Sequence, residues 1–460
     1  MRQKAIQCLR TVLGDMFIRR PKTRIVFSFL SPLILLSSSF ILHPSSFLYA
    51  QADVYIGVTA SKEFKKTAVA LAEFLPARAV NPKDLELAEA FRGIIRADLL
   101  YSRYFDLKEE PFSPANLSTG ADAIKFWKTA GAAYLVSAKA SQRESVWTFN
   151  ARLHDLGTGK IILEKFYQGE PRALRRAAHL FSDDVILRIT GRKGLAHSKL
   201  AFSNNSTGFK EIYIVDYDGG NLLQLTDDRS INLLPRWSQD ATKIYYTTYR
   251  YGNPDMFEID RKAGKIRPFT TYQGLNIPGG FSPDGLTMVM TLSRGDDPNI
   301  YILNVVTKKL KKMLTAFGVS SSPTYSPDGA QIAFISDRAG NPQVFVLDLE
   351  TKKIRKLTRM NWCDSPNWSP SGEWIVFAGR AASKEKLNIF LTDLTGSQIR
   401  RLTDKAGNNE DPSWSPDGRF IAFTSTRRGR RELFVMDADG SAPHPLTDLK
   451  GKTYTPNWSP

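Results

Sequence analysis

The residue types that carry most enzymatic chemistry are few in these 460 residues, and none falls into a reactive spacing. The five histidines are His43, His154, His179, His197 and His444. Only His444 lies well inside the C-terminal repeats described below, so no multi-histidine metal centre is expected there. Of the two cysteines, Cys8 and Cys363, the second has no evident histidine partner to make it a nucleophile. Gly-x-Ser-x-Gly, a phosphate-binding Gly-rich loop with Lys, and His-Glu-x-x-His are absent. Carboxylates abound but recur at fixed places. Asp284, Asp328 and Asp417 sit within Ser-Pro-Asp-Gly, a turn sequence, while Asp216, Asp348, Asp393 and Asp437 end short apolar runs. Both series are expected to be structural, the first as turn caps. The expectation is a protein without catalytic residues, metal or cofactor.

Composition narrows the class. With 42% hydrophobic and 24% charged residues, the chain is too apolar for disorder and too long for one ordinary domain. The formal charge of +17 is swollen by the N-terminus, where residues 1–24 hold seven Lys or Arg against Asp15. An apolar run interrupted by Pro32 and several serines follows, and it ends in Ala50-Gln51-Ala52, a small-x-small cleavage pattern. Residues 1–52 therefore read as a secretory signal, with Met16 as a second candidate start. The remaining positive charge is spread thinly along the chain, which argues against a nucleic-acid partner.

The elements that position any site follow from a repeat. An aromatic residue followed by Ser, usually Pro, then Asp or Ser and Gly, recurs at Trp237, Phe281, Tyr325, Trp368, Trp414 and Trp458, at intervals of 44, 44, 43, 46 and 44. At Trp237 it departs to Trp-Ser-Gln-Asp. Each turn leads into an apolar strand such as Phe420-Ile-Ala-Phe, then a strand ending in Asp, then one ending in Leu-Thr, as at Leu225-Thr226, Leu357-Thr358, Leu402-Thr403 and Leu446-Thr447. Four short strands per ~40–45 residues make a β-propeller blade. The second strand occurs six times, and its first copy lacks an aromatic strand before it. The strand around Trp458 is expected to fill that place and close the ring.

Before the repeats, residues 53–190 predict a small α/β domain. A strand opens at Asp53, and a helix begins near Asn81-Pro82 with Leu85, Ala88, Phe91, Ile95 and Leu99 on one face. A second helix covers about 122–129. Strands begin at Tyr134, Val146 and Ile161, and a third helix with Leu174, Ala177, Phe181, Val185 and Ile189 inward ends at Gly191. The expected fold class is an α/β N-terminal domain followed by an all-β six-bladed propeller over residues 191–460, closed by the C-terminal strand.

In a propeller, the segments before each inner strand and the loops between second and third strands open on one face around the axis. Pro235, Pro323, Pro366, Pro412 and Pro456 stand two residues before the aromatics, and the residues just upstream are chemically diverse. Asn232, Leu234, Asn276, Ile277, Ser321, Trp362, Asp364, Glu410, Asp411 and Tyr454 are the candidate partner-binding residues, read as loop tips on a fixed scaffold. The second loop class adds Arg250, Arg294, Arg338, Arg380 and Arg427. Such a mixture suits a protein or peptide partner.

A secretory signal, a small α/β domain, the helix Leu174-Arg-Arg-Ala-Ala-His179 leading to Leu187-Arg-Ile-Thr-Gly191, and six blades ending in Trp458-Ser-Pro resemble the TolB family of the Tol-Pal envelope system. That resemblance implies a periplasmic protein without catalysis, acting as a monomer within the Tol-Pal assembly in outer-membrane integrity and cell division. It implies a peptidoglycan-associated lipoprotein at the propeller mouth and an inner-membrane Tol protein at the N-terminal segment. It places partner-facing residues before the second and third inner strands, here 275–278 and 320–322. The competing readings are a peptidase-type propeller without its hydrolase domain, and a periplasmic sensor or carbohydrate-binding propeller.

Overall fold

A computed structural model describes residues 66–76, 82–109, 120–294, 297–314 and 318–460. The expected signal over 1–52 and the strand expected at Asp53 lie outside these residues. Among the described residues, no helix is long and apolar enough to cross a membrane.

The N-terminal layer holds strands β1 (Thr67–Leu71), β2 (Leu75–Pro76), β3 (Phe105–Lys108), β4 (Tyr134–Arg143), β5 (Val146–Asp155) and β6 (Lys160–Gly169). Its helices are α1 (Pro82–Tyr101), α2 (Ala121–Thr129) and α3 (Leu174–Thr190). The sheet order is β3-β1-β4-β5-β6, with β2 pairing on β4; β1 runs parallel to β3 and β4, and β4 to β6 form an antiparallel meander. Helices α1 and α3 cover one face. Ala88, Phe91, Ile95 and Leu99 meet Ala177, Phe181 and Val185 over Val136 and Phe149, and the Phe91 ring stacks on Phe149 at 3.8 Å. Leu85 departs from the expected stripe and is 41% exposed. Asp84 turns inward in its place, because its carboxylate accepts the Gln142 N–H at 2.9 Å.

Helix α3 ends as expected at Gly191, whose φ of 72° only glycine adopts freely. The connection that follows is pinned by Asp183, which accepts the backbone N–H groups of Ala196 (2.8 Å) and His197 (3.0 Å) and the His197 ring N–H (2.5 Å).

Six four-stranded antiparallel sheets form the propeller. Blade 1 takes its inner strand from the end of the chain: Thr453–Trp458 pairs with Lys199–Asn204, which continues to Glu211–Asp216 and Leu223–Gln224. Blades 2 to 6 have inner strands Asn232–Trp237, Asn276–Phe281, Ser320–Tyr325, Trp362–Trp368 and Asn409–Trp414. Second and third strands are buried on both faces between neighbouring blades. Blade 5 Val376 and Leu391, for example, share a cluster with blade 6 Trp414, Ile421 and Phe423.

The repeated motifs have local causes. In three turns the Ser hydroxyl donates to the Asp carboxylate, which also accepts a backbone N–H two residues on: Ser282 and Leu286 at Asp284, Ser326 and Ala330 at Asp328, Ser415 and Arg419 at Asp417; in blade 5 the Ser371 hydroxyl takes the place of the carboxylate. The irregular Trp237 copy keeps this arrangement through Ser238 and Asp240, and Ala241 takes the left-handed place of the glycine at φ 54°. In the Leu-Thr motif the Thr hydroxyl accepts an N–H of the third strand and donates to a buried polar residue. Thr358 joins Val344 N–H to Gln343 Oε1, and Thr403 joins Ile389 N–H to Asn388 Oδ1. Each motif satisfies backbone groups that burial would otherwise leave unpaired.

The α/β layer sits on the face formed by the Ser-Pro-Asp-Gly turns. Tyr101 of α1 packs edge-on against Tyr217 (4.9 Å) and in a tilted arrangement against Phe420 (4.8 Å), and the Arg419 guanidinium lies 4.0 Å over the Tyr104 ring. At the centre of this contact, Asp98 of α1 accepts the His179 Nδ1–H of α3 at 2.9 Å and the Tyr217 hydroxyl of blade 1 at 2.6 Å. Among the described residues, this layer does not cover the opposite face of the propeller, where the inner strands begin.

Candidate functional site: the propeller mouth and axial channel

Every inner strand slips register partway along its length, between Leu233 and Arg236 in blade 2 and at the matching place in the other five. In five of them the residue before the proline is left-handed: Leu234, Ser322, Ser365, Asp411 and Thr455, with φ from 47 to 56°. Blade 3 places Pro278 there and follows it with Gly279 and Gly280. A bulge ends the simple alternation of the strand and re-aims its side chains. The prolines therefore lie within the inner strands, and the residues upstream, expected as loop tips, are strand residues too.

This relocates the candidate residues. Asn232 and Asn276 are fully buried braces: the Asn232 amide donates to Glu211 and Asp228, and that of Asn276 to three backbone carbonyls. They present nothing to a partner, which corrects the expectation for both. Leu234 and Ile277 join Leu233 in an apolar cluster, and both line a cavity of roughly 30 Å³ together with Ser321. Asp364 and Glu410 are buried rather than projecting from the rim, with Asp364 only 3% exposed. Trp362, Asp411 and Tyr454 are half-buried.

The mouth has two chemical sectors. Blades 5, 6 and 1 supply charge. Arg431 of the blade 6 loop donates to Glu410 at 2.6 Å and lies 4.0 Å from Asp411, and it shares the Tyr454 ring with Lys210. Asp411 accepts the Ser365 hydroxyl (3.3 Å) and the Thr455 N–H (3.2 Å), so it clasps three blades. Blades 1 to 3 supply apolar surface. Leu234 and Ile277 stand at the strand starts, and Phe209 (44% exposed) and Tyr251 (69% exposed) stand at the hairpins of neighbouring blades.

The arginines of the second loop class are mainly struts. Arg338 and Arg427 each donate to the serine that ends the second strand (Ser336, Ser425), and each stacks on two blade phenylalanines. Arg380 bonds Asn361. The arginine that holds the carboxylates is Arg431, which the sequence pattern did not single out because it lies four residues past the repeated position. Arg236 was also missed. It projects into an axial cavity of roughly 140 Å³ lined by all six inner strands.

Cys363 is buried with its thiol against Thr358 Oγ1 (3.3 Å), and burial pushes it up to about 12, far from a reactive thiolate. Among the described residues, no group of three or more His, Cys, Asp or Glu is arranged to hold a metal ion.

The sequence pattern of the TolB β-propeller domain matches residues 187–460. The chain belongs to the TolB propeller family. It is 36% identical over 194 residues to the Tol-Pal system protein TolB of Geobacter sulfurreducens, an alignment covering 42% of this chain and 44% of that protein. To TolB of Geobacter metallireducens it is 42% identical over 118 residues, 26% of this chain and 28% of the relative. The chain thus spans less than half the length of these curated relatives. The crystal structure of TolB from Acinetobacter baumannii superposes with a TM-score of 0.70 at 25% identity, covering 86% of this chain and 97% of that one. This coverage takes in more than the propeller.

The buried acids make the TolB-type mouth of this chain sensitive to pH. Burial, reinforced by Asp411 and Glu410, pushes Asp364 up to about 7, and burial likewise raises Glu410 despite Arg431. A carboxyl raised in the folded state stabilises the fold fully below its ordinary value of 3.8, and that stability is lost as pH rises through about 7. At 1.36 kcal/mol per pKa unit this amounts to roughly 4 kcal/mol for Asp364. Wild-type stability in urea is therefore expected to fall between pH 5 and pH 8. Asp364→Asn should flatten that fall by roughly 2–3 kcal/mol, the part of the effect that lies between pH 5 and about 7. Parallel profiles for the two proteins would contradict this reading of the mouth.

Proposed function

We propose that this chain is a non-catalytic, periplasmic interaction component of a Tol-Pal envelope system, acting as a monomer within that assembly. Its propeller mouth docks a peptidoglycan-associated lipoprotein, and its N-terminal segment contacts an inner-membrane Tol protein, in support of outer-membrane integrity and cell division. The division of labour follows the chain: a signal over 1–52, an α/β domain over 53–190 and the propeller over 191–460. The observation that carries this reading is the seating of the α/β layer on the turn face, which leaves the mouth open with an apolar sector beside a charged one. Membership in the TolB propeller family and the Tol-Pal naming of the relatives support the same assignment.

Within this reading Leu234, Ile277, Ser321, Trp362 and Tyr454 border the docking surface, Asp364, Glu410 and Asp411 set its charge from beneath, and Phe209 and Tyr251 are its exposed anchors. Truncating an aromatic anchor costs ~2 kcal/mol or more of binding, whereas an exposed side chain contributes ~0.5 kcal/mol or less to stability. Phe209→Ala combined with Tyr251→Ala is expected to weaken capture of the purified lipoprotein at least tenfold in a titration, with an unchanged melting temperature. Wild-type affinity in that variant would remove the apolar sector from the interface and favour a sensor or carbohydrate-binding role for the propeller.

A further inference from the structure

Two residues beyond each bulge, the six inner strands place Arg236, Gly280, Thr324, Asn367, Ser413 and Asn457 at equivalent positions around the axis. Three of these clip the next blade. Asn367 Oδ1 accepts the Trp414 N–H at 2.8 Å, Ser413 Oγ the Trp458 N–H at 3.0 Å, and Asn457 Oδ1 the Trp237 N–H at 3.0 Å. Arginine has no acceptor atom and cannot make that clip. Its neighbour around the ring, Gly280, has no side chain, so the long Arg236 side chain finds room in the channel. Arg236 lines both axial cavities, the polar one of roughly 140 Å³ and the smaller one walled by Leu234, Ile277, Pro278 and Val319.

The guanidinium is poorly compensated there. Among the described residues it makes one hydrogen bond, from Nη1 to the Pro235 carbonyl at 2.9 Å. Asp411 lines the same cavity but forms no ion pair with it, its oxygens being held by Ser365 and Thr455. Burial draws the Arg236 guanidinium down to about 10, with Asp411 alone opposing the effect. Arg236 is partly buried, and its remaining donors face the channel, where a carboxylate can take the place of water on them.

We propose that Arg236 holds a carboxylate in the axial channel, with the short apolar stem of the ligand lying toward Leu234 and Ile277. The planar fork of a guanidinium matches a carboxylate, and the nearby Asp411 disfavours ligands of higher negative charge. The carboxylate comes either from a free short-chain acid or from an acidic side chain or C-terminus of a protein partner; the site itself does not depend on the lipoprotein reading above.

Sodium propionate is the probe. Titrated by NMR into the full chain against sodium chloride at equal ionic strength, it is expected to bind saturably. Arg236→Met should abolish that binding without lowering the melting temperature of the ligand-free protein, and Arg236→Lys should weaken it at least threefold. The lysine variant keeps a cation in the channel and decides the matter if the methionine variant does not fold. Absence of saturable binding to the wild type, or wild-type binding in both variants, would overturn the proposal. Once binding is seen, weakened capture of the lipoprotein in propionate assigns the carboxylate to a protein partner, and unchanged capture assigns it to a free acid.

Discussion

A chain lacking residues 453–460 is expected to lose its cooperative unfolding transition. That segment is the inner strand of blade 1, and its contacts reach three blades. Trp458 is buried with its indole N–H on Ser198 Oγ at 2.8 Å, Ser459 exchanges hydrogen bonds with Lys199, and Asn457 accepts the Trp237 backbone N–H. Deletion removes a whole strand ladder and leaves Lys199–Asn204 as a raw edge beside the axis. A buried Trp truncated to Ala alone costs ~3–5 kcal/mol, against a total stability of ~5–15 kcal/mol for a typical domain. Calorimetry should show a broad, low-enthalpy melt for the deletion, and Trp458→Ala should lower stability by ~3–5 kcal/mol. A sharp transition within a few degrees of the full chain would contradict ring closure.

The second large effect is expected at the seat of the α/β layer. Asp98, His179 and Tyr217 come from α1, α3 and blade 1, and all three are buried. Asp98→Ala leaves the imidazole and the phenol without their shared acceptor, a loss of ~3–5 kcal/mol for a broken buried pair. Asp98→Asn keeps an acceptor oxygen and should cost less. Because the same residues join the two parts of the molecule, the alanine variant should also open the connection at 191–198 to limited proteolysis. Tyr217→Phe added to Asp98→Ala should cost little more, since the hydroxyl has already lost its acceptor. Full additivity of the two substitutions would mean that the network does not act as a unit.

Much of the architecture was legible because each blade repeats a local chemical solution. The Ser–Asp turn and the Leu-Thr strand end satisfy backbone groups within a few residues, so they leave a mark at fixed spacing. The helices were readable by the same logic: α3 shows its inward stripe and its terminal Gly191 in sequence. Leu85 misled because Asp84 bonds a backbone N–H far along the chain at Gln142, a contact with no local signature.

The mouth was less legible. A β-bulge before each proline breaks the alternation that marks a strand, so buried residues such as Asn276 and Asp364 looked like loop tips. Arg431 and Arg236 were missed for a different reason. Each stands where the other blades carry something else: Arg431 meets Glu410 only when the strands of blade 6 fold together, and Arg236 meets the empty place at Gly280 only when blade 3 packs beside blade 2. Period reveals what blades share, while a binding face is built from what they do not.

Hydrogen exchange of the full chain, with and without the purified peptidoglycan-associated lipoprotein, tests the central claim most directly. Protection is predicted at the mouth, in the hairpins at 205–210 and 249–253 and at the inner-strand starts around 275–278 and 320–322. Protection confined to the Ser-Pro-Asp-Gly turns on the opposite face, or none at saturating lipoprotein, would contradict the assignment of the mouth as the docking surface.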